Sequence, residues 1–224
     1  MSKLWSLKIT WKMKDGEHLF KSLHGKTLQD LVELEKLTLG DQVLMGSFDI
    51  LATCKNLQDL TIKNCSDITD FQGLQKLFGL QTLKLYECNQ IDNLNDFPPM
   101  YHLKVLSLDC GAITYISALL GKLLPKLENL YLGGFFLNDC QEFKIGFCPF
   151  LKELTIHACS GILKFEDESS SYPNLQILNL QYCHDLKECC VTRSTPVTVN
   201  IDFCKLLTKI KINCFKGHAQ KTKQ

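Results

Sequence analysis

The stretch Leu57–Cys65, LQDLTIKNC, is one copy of a pattern that recurs along almost the whole chain. The pattern places leucine first and fourth, another apolar residue sixth and cysteine ninth. Full copies also begin at Leu80 (LQTLKLYEC), Leu151 (LKELTIHAC) and Leu175 (LQILNLQYC), weaker ones at Leu4, Leu34, Leu103 and Leu127, and a degenerate one ends at Cys204. Self-similarity at a fixed period is typical of a solenoid, in which each repeat needs its neighbours to bury its apolar face.

The second apolar residue of each copy marks the period. The markers are Leu7, Leu37, Leu60, Leu83, Leu106, Leu130, Leu154, Leu178 and Val199. Successive markers are 30, 23, 23, 23, 24, 24, 24 and 21 residues apart, by subtraction of their numbers. The long first step predicts an insertion around Lys14–Lys26. Ile210 and Ile212 follow too soon for another full repeat, and we interpret them as a capping hairpin.

Within each copy, the L-x-L alternation has the period of two that is typical of a short strand. One strand per repeat, always in the same direction, predicts a parallel sheet on the concave side of a curved arc. The return segments predict helices at Phe71–Phe78 and Tyr115–Leu124, and irregular coil around Asp96–Pro99 and Glu166–Ser171. The predicted fold class is therefore α/β, with short helices and loops on the convex face.

The domain organisation follows from the same count. Residues 1–215 are predicted to form one solenoid of about nine repeats, since nine markers are present. Residues 216–224 are predicted to be a basic, disordered tail.

The chain has 12 cysteines, which raises the alternative of a secreted disulfide framework. Five of them occupy the ninth position of the repeat: Cys65, Cys88, Cys159, Cys183 and Cys204. Equivalent positions in stacked repeats point the same way, so we expect buried, reduced thiols that bond neighbouring backbone groups. A zinc site near His184, Cys189 and Cys190 is disfavoured, because the repeat already accounts for Cys183 and Cys204 and no C-x-x-C pair occurs.

Composition argues against several classes of function. The net charge is +1, which gives no global attraction to nucleic acid, and no apolar run is long enough for a membrane span. We therefore expect no specific nucleic acid, no membrane, no cofactor and no metal, and a location in the cytoplasm or nucleus. The carboxylates Glu166, Asp167 and Glu168 are expected in a solvated outer loop rather than in an acid–base pair. The chain is predicted not to be an enzyme.

The residues between the leucines are predicted to point to the concave surface. Tyrosine with flanking charges is what macromolecular contact surfaces favour. The candidate protein-binding residues are Lys63, Lys84, Tyr86, Asp109, Tyr131, His157, Gln181 and Tyr182. The alternative is that they are simply the solvated side of a sheet. We expect Tyr86 and Tyr131 to carry most of the affinity and residues 166–171 to carry little.

These motifs resemble the leucine-rich-repeat family over nearly the whole chain. CPFLKELTIHACSGILKF (148–165) and YPNLQILNLQYCHDLKEC (172–189) are similar to the C-terminal repeats of plant nucleotide-binding immune receptors. CKNLQDLTIKNCSDITDFQGLQKL (54–77) is similar instead to the cysteine-containing repeats of F-box substrate receptors. The first resemblance implies a plant disease-resistance role, in which the concave face binds a pathogen-derived protein or the receptor's own nucleotide-binding core. The second implies substrate selection for a ubiquitin ligase.

The chain departs from both groups in one respect. It contains no phosphate-binding G-x-x-x-x-G-K-[ST] loop, and the repeats begin at Leu4, which leaves no room for a helical box. The expectation is a repeat-only protein or the C-terminal part of a longer receptor.

Overall fold

The computed structural model describes residues 5–10, 32–40, 46–65, 67–114, 123–138, 142–168 and 171–214. Within these residues, nine strands form one parallel sheet: β1 (Ser6–Thr10), β2 (Lys36–Gly40), β3 (Asp59–Lys63), β4 (Thr82–Tyr86), β5 (Val105–Asp109), β6 (Asn129–Gly133), β8 (Glu153–His157), β10 (Ile177–Gln181) and β12 (Thr198–Asp202). A second parallel sheet contains β7 (Glu142–Phe143), β9 (Lys164–Glu168), β11 (Glu188–Arg193) and β13 (Lys209–Cys214). The chain is a parallel β-solenoid.

The register of the long sheet confirms the period taken from the sequence. Each of the nine markers pairs with the next, from Leu7 opposite Leu37 at one end to Leu178 opposite Val199 at the other. A shift of one residue would turn every leucine to the other face of the sheet. The apolar alternation therefore fixes this register, and the predicted parallel strands are confirmed.

The core lies between the long sheet and the return segments. It contains the strand leucines and two further columns of apolar residues, one before the strands, including Met100 and Tyr172, and one after them, including Ile68 and Ile162. On the return side, Phe71 packs between Phe48 and Phe97, with ring centroids 6.4 Å and 4.8 Å apart respectively. Successive turns thus share one continuous core, as a solenoid requires.

The return segments contain less helix than the sequence predicts. The helix expected over Phe71–Phe78 is a single 3₁₀ turn, Leu74–Lys76, and a second 3₁₀ turn spans Phe48–Leu51. Gly73 explains the difference: its φ is 87°, and a β-carbon there would lie 2.4 Å from the backbone nitrogen of Asp49. An α-helix cannot continue through such a left-handed residue. Neither described helix is long or apolar enough to cross a membrane.

Several predictions fall outside the described residues. They are the insertion around Lys14–Lys26, most of the helix expected at Tyr115–Leu124, and the basic tail at 216–224.

The capping hairpin predicted for Ile210 and Ile212 is wrong. Both residues belong to β13, which pairs in parallel with β11, so that Ile210 lies opposite Cys189 and Ile212 opposite Val191. A hairpin would require antiparallel neighbours. The chain instead makes another full crossover and adds a rung to the second sheet.

The solvated outer loop predicted around Glu166–Ser171 is also wrong over its first half. Residues Lys164–Glu168 form β9, paired with β11 on one side and β7 on the other. Phe165 and Asp167 point into the core and alternate with the more exposed Lys164 and Glu166. This is again a strand period of two, here on the return side of the solenoid.

A buried ion pair joins the second sheet to the core. Nη1 of Arg193 donates to Oδ2 of Asp167 at 2.7 Å, and both side chains are 0% exposed. Nη2 of Arg193 also donates to the carbonyl oxygen of Tyr172. Burial raises the pKa of Asp167 above its ordinary value, although the charge of Arg193 opposes the shift. Within the described residues, Oδ1 of Asp167 and Nε of Arg193 have no hydrogen-bond partner.

The cysteine column behaves as predicted. Cys65, Cys88, Cys159 and Cys183 are buried thiols, and Cys204 is a half-buried thiol at the end of the sheet. Each thiol donates to the carbonyl oxygen two residues before it, and Cys183 also reaches the carbonyl of Ile156 in the preceding turn at 3.6 Å. Burial raises the pKa of Cys65 to about 12. A hydrogen bond with Cys204 and burial also raise the pKa of Cys183, whereas a hydrogen bond with Cys110 lowers that of Cys88. These thiols close the turn after each strand.

Candidate interaction surface

The predicted binding residues lie on the face of the long sheet that points away from the core, which we call the outer sheet face. Two rows cross it. One row contains the middle residues of the strands, among them Lys84 and Tyr131. The other contains the last residues of the strands: Lys63, Tyr86, Asp109, Gly133, His157, Gln181 and Asp202. Tyr182 follows directly after β10.

The structure divides these residues into two groups. In the first group, Nζ of Lys63 lies 5.6 Å from the centroid of the Tyr86 ring, a cation–π contact. Lys84 lies two residues before Tyr86 on β4, and Asp109 on β5 lies directly opposite Tyr86. This group is mainly charged, and its one aromatic ring is already in contact with a lysine.

The second group is a row of rings, which we call the aromatic ladder. Tyr131 stacks on His157 with centroids 6.1 Å apart, and His157 meets the edge of Tyr182 at 5.3 Å. Tyr182 in turn stacks on Phe203 at 4.8 Å with an interplanar angle of 10°. The ladder thus crosses four neighbouring strands, from β6 to the turn after β12. Such contacts stabilise the rings in one arrangement before any partner arrives.

Tyr131 is positioned by the glycine two residues after it. A β-carbon at Gly133 would lie 2.8 Å from the Tyr131 ring, so the ring occupies the space that a side chain would take there. Burial raises the pKa of Tyr131 to about 12, and the neighbouring Asp109 carboxylate adds to the shift. The phenol therefore stays protonated and remains a hydrogen-bond donor at neutral pH.

The backbone holds two members of the ladder in an unusual conformation. The residue before the ninth-position cysteine has a positive φ in several repeats, including 56° at Tyr182 and 54° at Phe203. Asparagine, glutamate and alanine occupy this position in other repeats, at Asn64, Glu87 and Ala158. Left-handed backbone costs a residue with a β-carbon about 1–2 kcal/mol relative to glycine. In the last two repeats this left-handed position carries an aromatic ring.

Three exposed aromatic residues line this region, and two of them, Phe136 and Phe203, are not among the residues predicted from the sequence. Phe136 is 63% exposed, Phe203 67% and Tyr182 42%. A groove of about 520 Å³ lies between Phe136, His157, Tyr182 and His184. Phe203 could have been found, because it precedes Cys204 as Tyr182 precedes Cys183. Phe136 and His184 lie in the loops after the strands, where the repeat pattern does not predict the direction in which a side chain points.

A polar network lies beside the ladder on the same strands. Nδ2 of Asn200 donates to Oδ1 of Asn179 at 2.8 Å, and Nδ2 of Asn179 donates to Oγ1 of Thr155 at 2.9 Å. Glu153 accepts from Asn129 at 3.0 Å. Gln181 Nε2 donates to Asp202 at 3.3 Å. The site therefore combines exposed rings, imidazoles and amides in a fixed arrangement that suits contact with another macromolecule.

Comparison of the chain with known protein families found none that matches, and comparison with curated proteins found no match either.

Proposed function

We propose that this solenoid is a protein-binding module whose contact site is the aromatic ladder. The observation that carries the proposal is the pair Tyr182 and Phe203. Their rings are exposed and stacked 4.8 Å apart, on left-handed backbone that is strained for any residue with a β-carbon. Strain of this kind is retained where it serves a site. Exposed tyrosine and phenylalanine in a pre-arranged row are the residues that dominate binding at protein interfaces.

The polar network supports a protein ligand in particular. The amides of Asn179, Asn200 and Gln181 are held by one another and by neighbouring side chains, and they flank the rings. A partner backbone that reaches these groups would meet donors and acceptors already oriented, which lowers the entropic cost of binding. Among the predicted binding residues, Tyr131, His157, Gln181 and Tyr182 belong to this site. Lys63, Lys84, Tyr86 and Asp109 form its charged flank.

The finer part of the proposal is biological. Residues 148–165 and 172–189, which contribute His157 and Tyr182 to the ladder, are also the segments that resemble the C-terminal leucine-rich repeats of plant immune receptors. The function that we propose is ligand sensing or autoinhibition in a disease-resistance receptor of that kind. The partner would then be a pathogen-derived protein or the receptor's nucleotide-binding core. The same proposal includes a curved arc with its long sheet on the concave side and helices on the convex side.

The test uses affinity capture with the full chain from infected plant extract, followed by titration of the purified captured protein. Tyr182→Ala and Phe203→Ala should each weaken binding by about 2 kcal/mol, which is about thirtyfold in Kd. Gly133→Ala should also weaken it, because the new methyl group displaces the Tyr131 ring. The control is Phe147→Ala, which removes an equally exposed ring before β8, outside the ladder.

Tyr182→Gly separates binding from folding. Glycine relieves the left-handed backbone while it removes the ring, so stability should change little and binding should still be lost. Equal loss of binding in Phe147→Ala and in the ladder variants would contradict the site. Capture of ubiquitin-ligase subunits, in place of a pathogen protein or a nucleotide-binding domain, would contradict the immune role.

A further inference from the structure

A second groove lies at the opposite end of the strands from the aromatic ladder. It has a volume of about 560 Å³ and is formed by the turns that enter β3 to β6. Its charged and aromatic lining residues are Lys55, Phe78, His102, Lys104 and Lys126, and its remaining lining residues are amides and a glycine. No carboxylate is among them. We call this surface the basic groove.

The basic groove carries a net positive charge. None of the described carboxylates forms an ion pair with Lys55, Lys104 or Lys126. Glu128 lies beside this edge, and its carboxylate is paired with Lys152, with Nζ and Oε2 2.6 Å apart. That contact is the largest cause of the lowered pKa of Glu128, and the nearby charge of Lys104 adds to the shift. Three lysines thus share this edge with one described carboxylate that is already paired, which favours an anionic ligand.

Apolar surface is exposed at the same place. Phe78 is 61% exposed, and Nζ of Lys55 lies 5.1 Å from the centroid of its ring. Tyr101, one turn further along, is 62% exposed. Two amides also line the groove: Nε2 of Gln81 donates to Oε1 of Gln58 at 3.3 Å, an exposed pair whose other amide atoms face a ligand in the groove. The groove thus offers lysines, exposed rings and a row of amides together.

We propose that the basic groove binds an acidic peptide segment of a partner protein, in extended conformation and with an apolar side chain. The carboxylates would meet Lys55, Lys104 and Lys126, and the apolar side chain would pack on Phe78. The lysines span four successive turns, roughly 14 Å at about 4.8 Å between strands, which is the length of about four extended residues. The Gln58–Gln81 amides lie where they can pair with the peptide backbone.

The charge of the whole chain favours a peptide over a nucleic acid. Proteins that bind nucleic acid through its phosphates present a broad positive field, whereas this chain has a net charge of +1. The positive charge in the groove is local and short. It matches two or three carboxylates better than a long polyphosphate.

The probe is a fluorescein-labelled octapeptide of alternating glutamate and phenylalanine, titrated against the full chain by fluorescence anisotropy. Two further probes are a lysine–phenylalanine octapeptide and an oligothymidine with the same number of negative charges. Binding of the acidic peptide should weaken as salt rises, because screening acts on exposed charges. The basic peptide should not bind.

The decisive variant is the double charge reversal Lys104→Glu with Lys126→Glu. It should weaken binding of the acidic peptide at least about tenfold, because attraction becomes repulsion at two contacts. The matched control, Lys187→Glu with Lys205→Glu, makes the same change in net charge at two exposed lysines near the C-terminal end and should change Kd less than about twofold. Phe78→Ala should weaken the glutamate–phenylalanine peptide and leave an all-glutamate peptide unaffected.

Three results would overturn the proposal. They are no binding of the acidic peptide by the wild-type chain at millimolar concentration, equal loss in the two double variants, and tighter binding of oligothymidine than of the peptide. The last result would assign the groove to single-stranded nucleic acid. Both double variants change only side chains on the surface, so circular dichroism should show the wild-type fold in each.

Discussion

Replacing Arg193 with methionine should destabilise the C-terminal turns of the solenoid by about 3–5 kcal/mol, because it leaves a buried carboxylate without its cation. The Asp167 side chain is 0% exposed, so water cannot replace the hydrogen bond of 2.7 Å that it receives from Arg193. The bond from Arg193 to the carbonyl of Tyr172 is lost as well.

Asp167 can respond to the loss of Arg193 in two ways, and each sets a cost. If it stays ionised, it bears the cost of a buried, unpaired charge. If it takes up a proton at pH 7, the cost from an ordinary pKa of about 3.9 is about 4 kcal/mol, at 1.36 kcal/mol per unit. Protonation therefore sets a ceiling near 4 kcal/mol on this part of the loss, and the bond to Tyr172 adds about 1.5 kcal/mol or more.

Asp167→Leu should cost more than Arg193→Met. The guanidinium cannot lose its proton in a protein, so an unpaired Arg193 stays charged and cannot reduce its burial cost by becoming neutral. The double variant Asp167→Leu with Arg193→Met removes both charges and should cost less than either single change, as in other buried pairs replaced by apolar residues.

The assay is urea unfolding followed by circular dichroism for the four proteins of this double-mutant cycle, at pH 7 and at pH 4.5. Without Arg193, the pKa of Asp167 in the folded state lies well above its value in the unfolded state. At pH values between these two pKa values, the native state binds one more proton than the unfolded state. Stability of Arg193→Met therefore falls as pH rises through that window, and its deficit should shrink at pH 4.5. The deficit of Asp167→Leu should not shrink.

Additive losses in the double variant would mean that the two side chains act independently, which would contradict a coupled buried ion pair. A deficit of less than 1 kcal/mol in Arg193→Met, unchanged by pH, would show that solvent reaches Asp167.

Further predictions concern the thiols and one turn. Native-state alkylation with iodoacetamide should leave Cys65, Cys88, Cys159 and Cys183 unlabelled, because all four side chains are buried; rapid labelling of all four would contradict this. Replacing Cys159 with serine should cost about 1–3 kcal/mol in urea unfolding, since a more polar hydroxyl enters the same buried space; no loss would contradict the packing role. Gly73→Ala should cost about 3 kcal/mol or more, because its β-carbon would meet the backbone of Asp49 at 2.4 Å, whereas Gly46→Ala, with the same sign of φ but no atom closer than 4.0 Å, should cost only about 1 kcal/mol. Equal losses at the two glycines would show that backbone conformation, not the contact with Asp49, decides the cost.

The period, the strands and their register could be predicted because they depend on local pattern. Alternation in each L-x-L segment selects a strand, and repetition at a nearly constant spacing places each strand beside the next. Leu60 and Leu154 therefore take their places without knowledge of any distant contact. The cysteine column could be predicted for the same reason, since Cys159 and Cys183 occupy equivalent positions of the repeat.

The return side was predicted less well, because its pattern is weaker and varies from turn to turn. KFEDE and ECCVTR also alternate, but Asp167 and Arg193 occupy inward positions where an apolar residue would be expected. Charged residues are rare in a core, so their presence at these positions favours a loop when only the sequence is known. Only the tertiary structure shows that these two charges, 26 residues apart, neutralise each other in the core.

The candidate sites, too, were predictable only in part from the sequence. The sequence indicated that Tyr131, His157 and Tyr182 lie on one face, because strand residues alternate. It could not show that Gly133 leaves room for the Tyr131 ring, or that a left-handed residue stacks Phe203 on Tyr182. The basic groove is assembled from turns that each contribute one or two residues. The period and the two faces of each strand can be predicted from local alternation alone. Which side chains meet across the turns depends on packing between residues distant in the chain, so it is seen only in the folded protein.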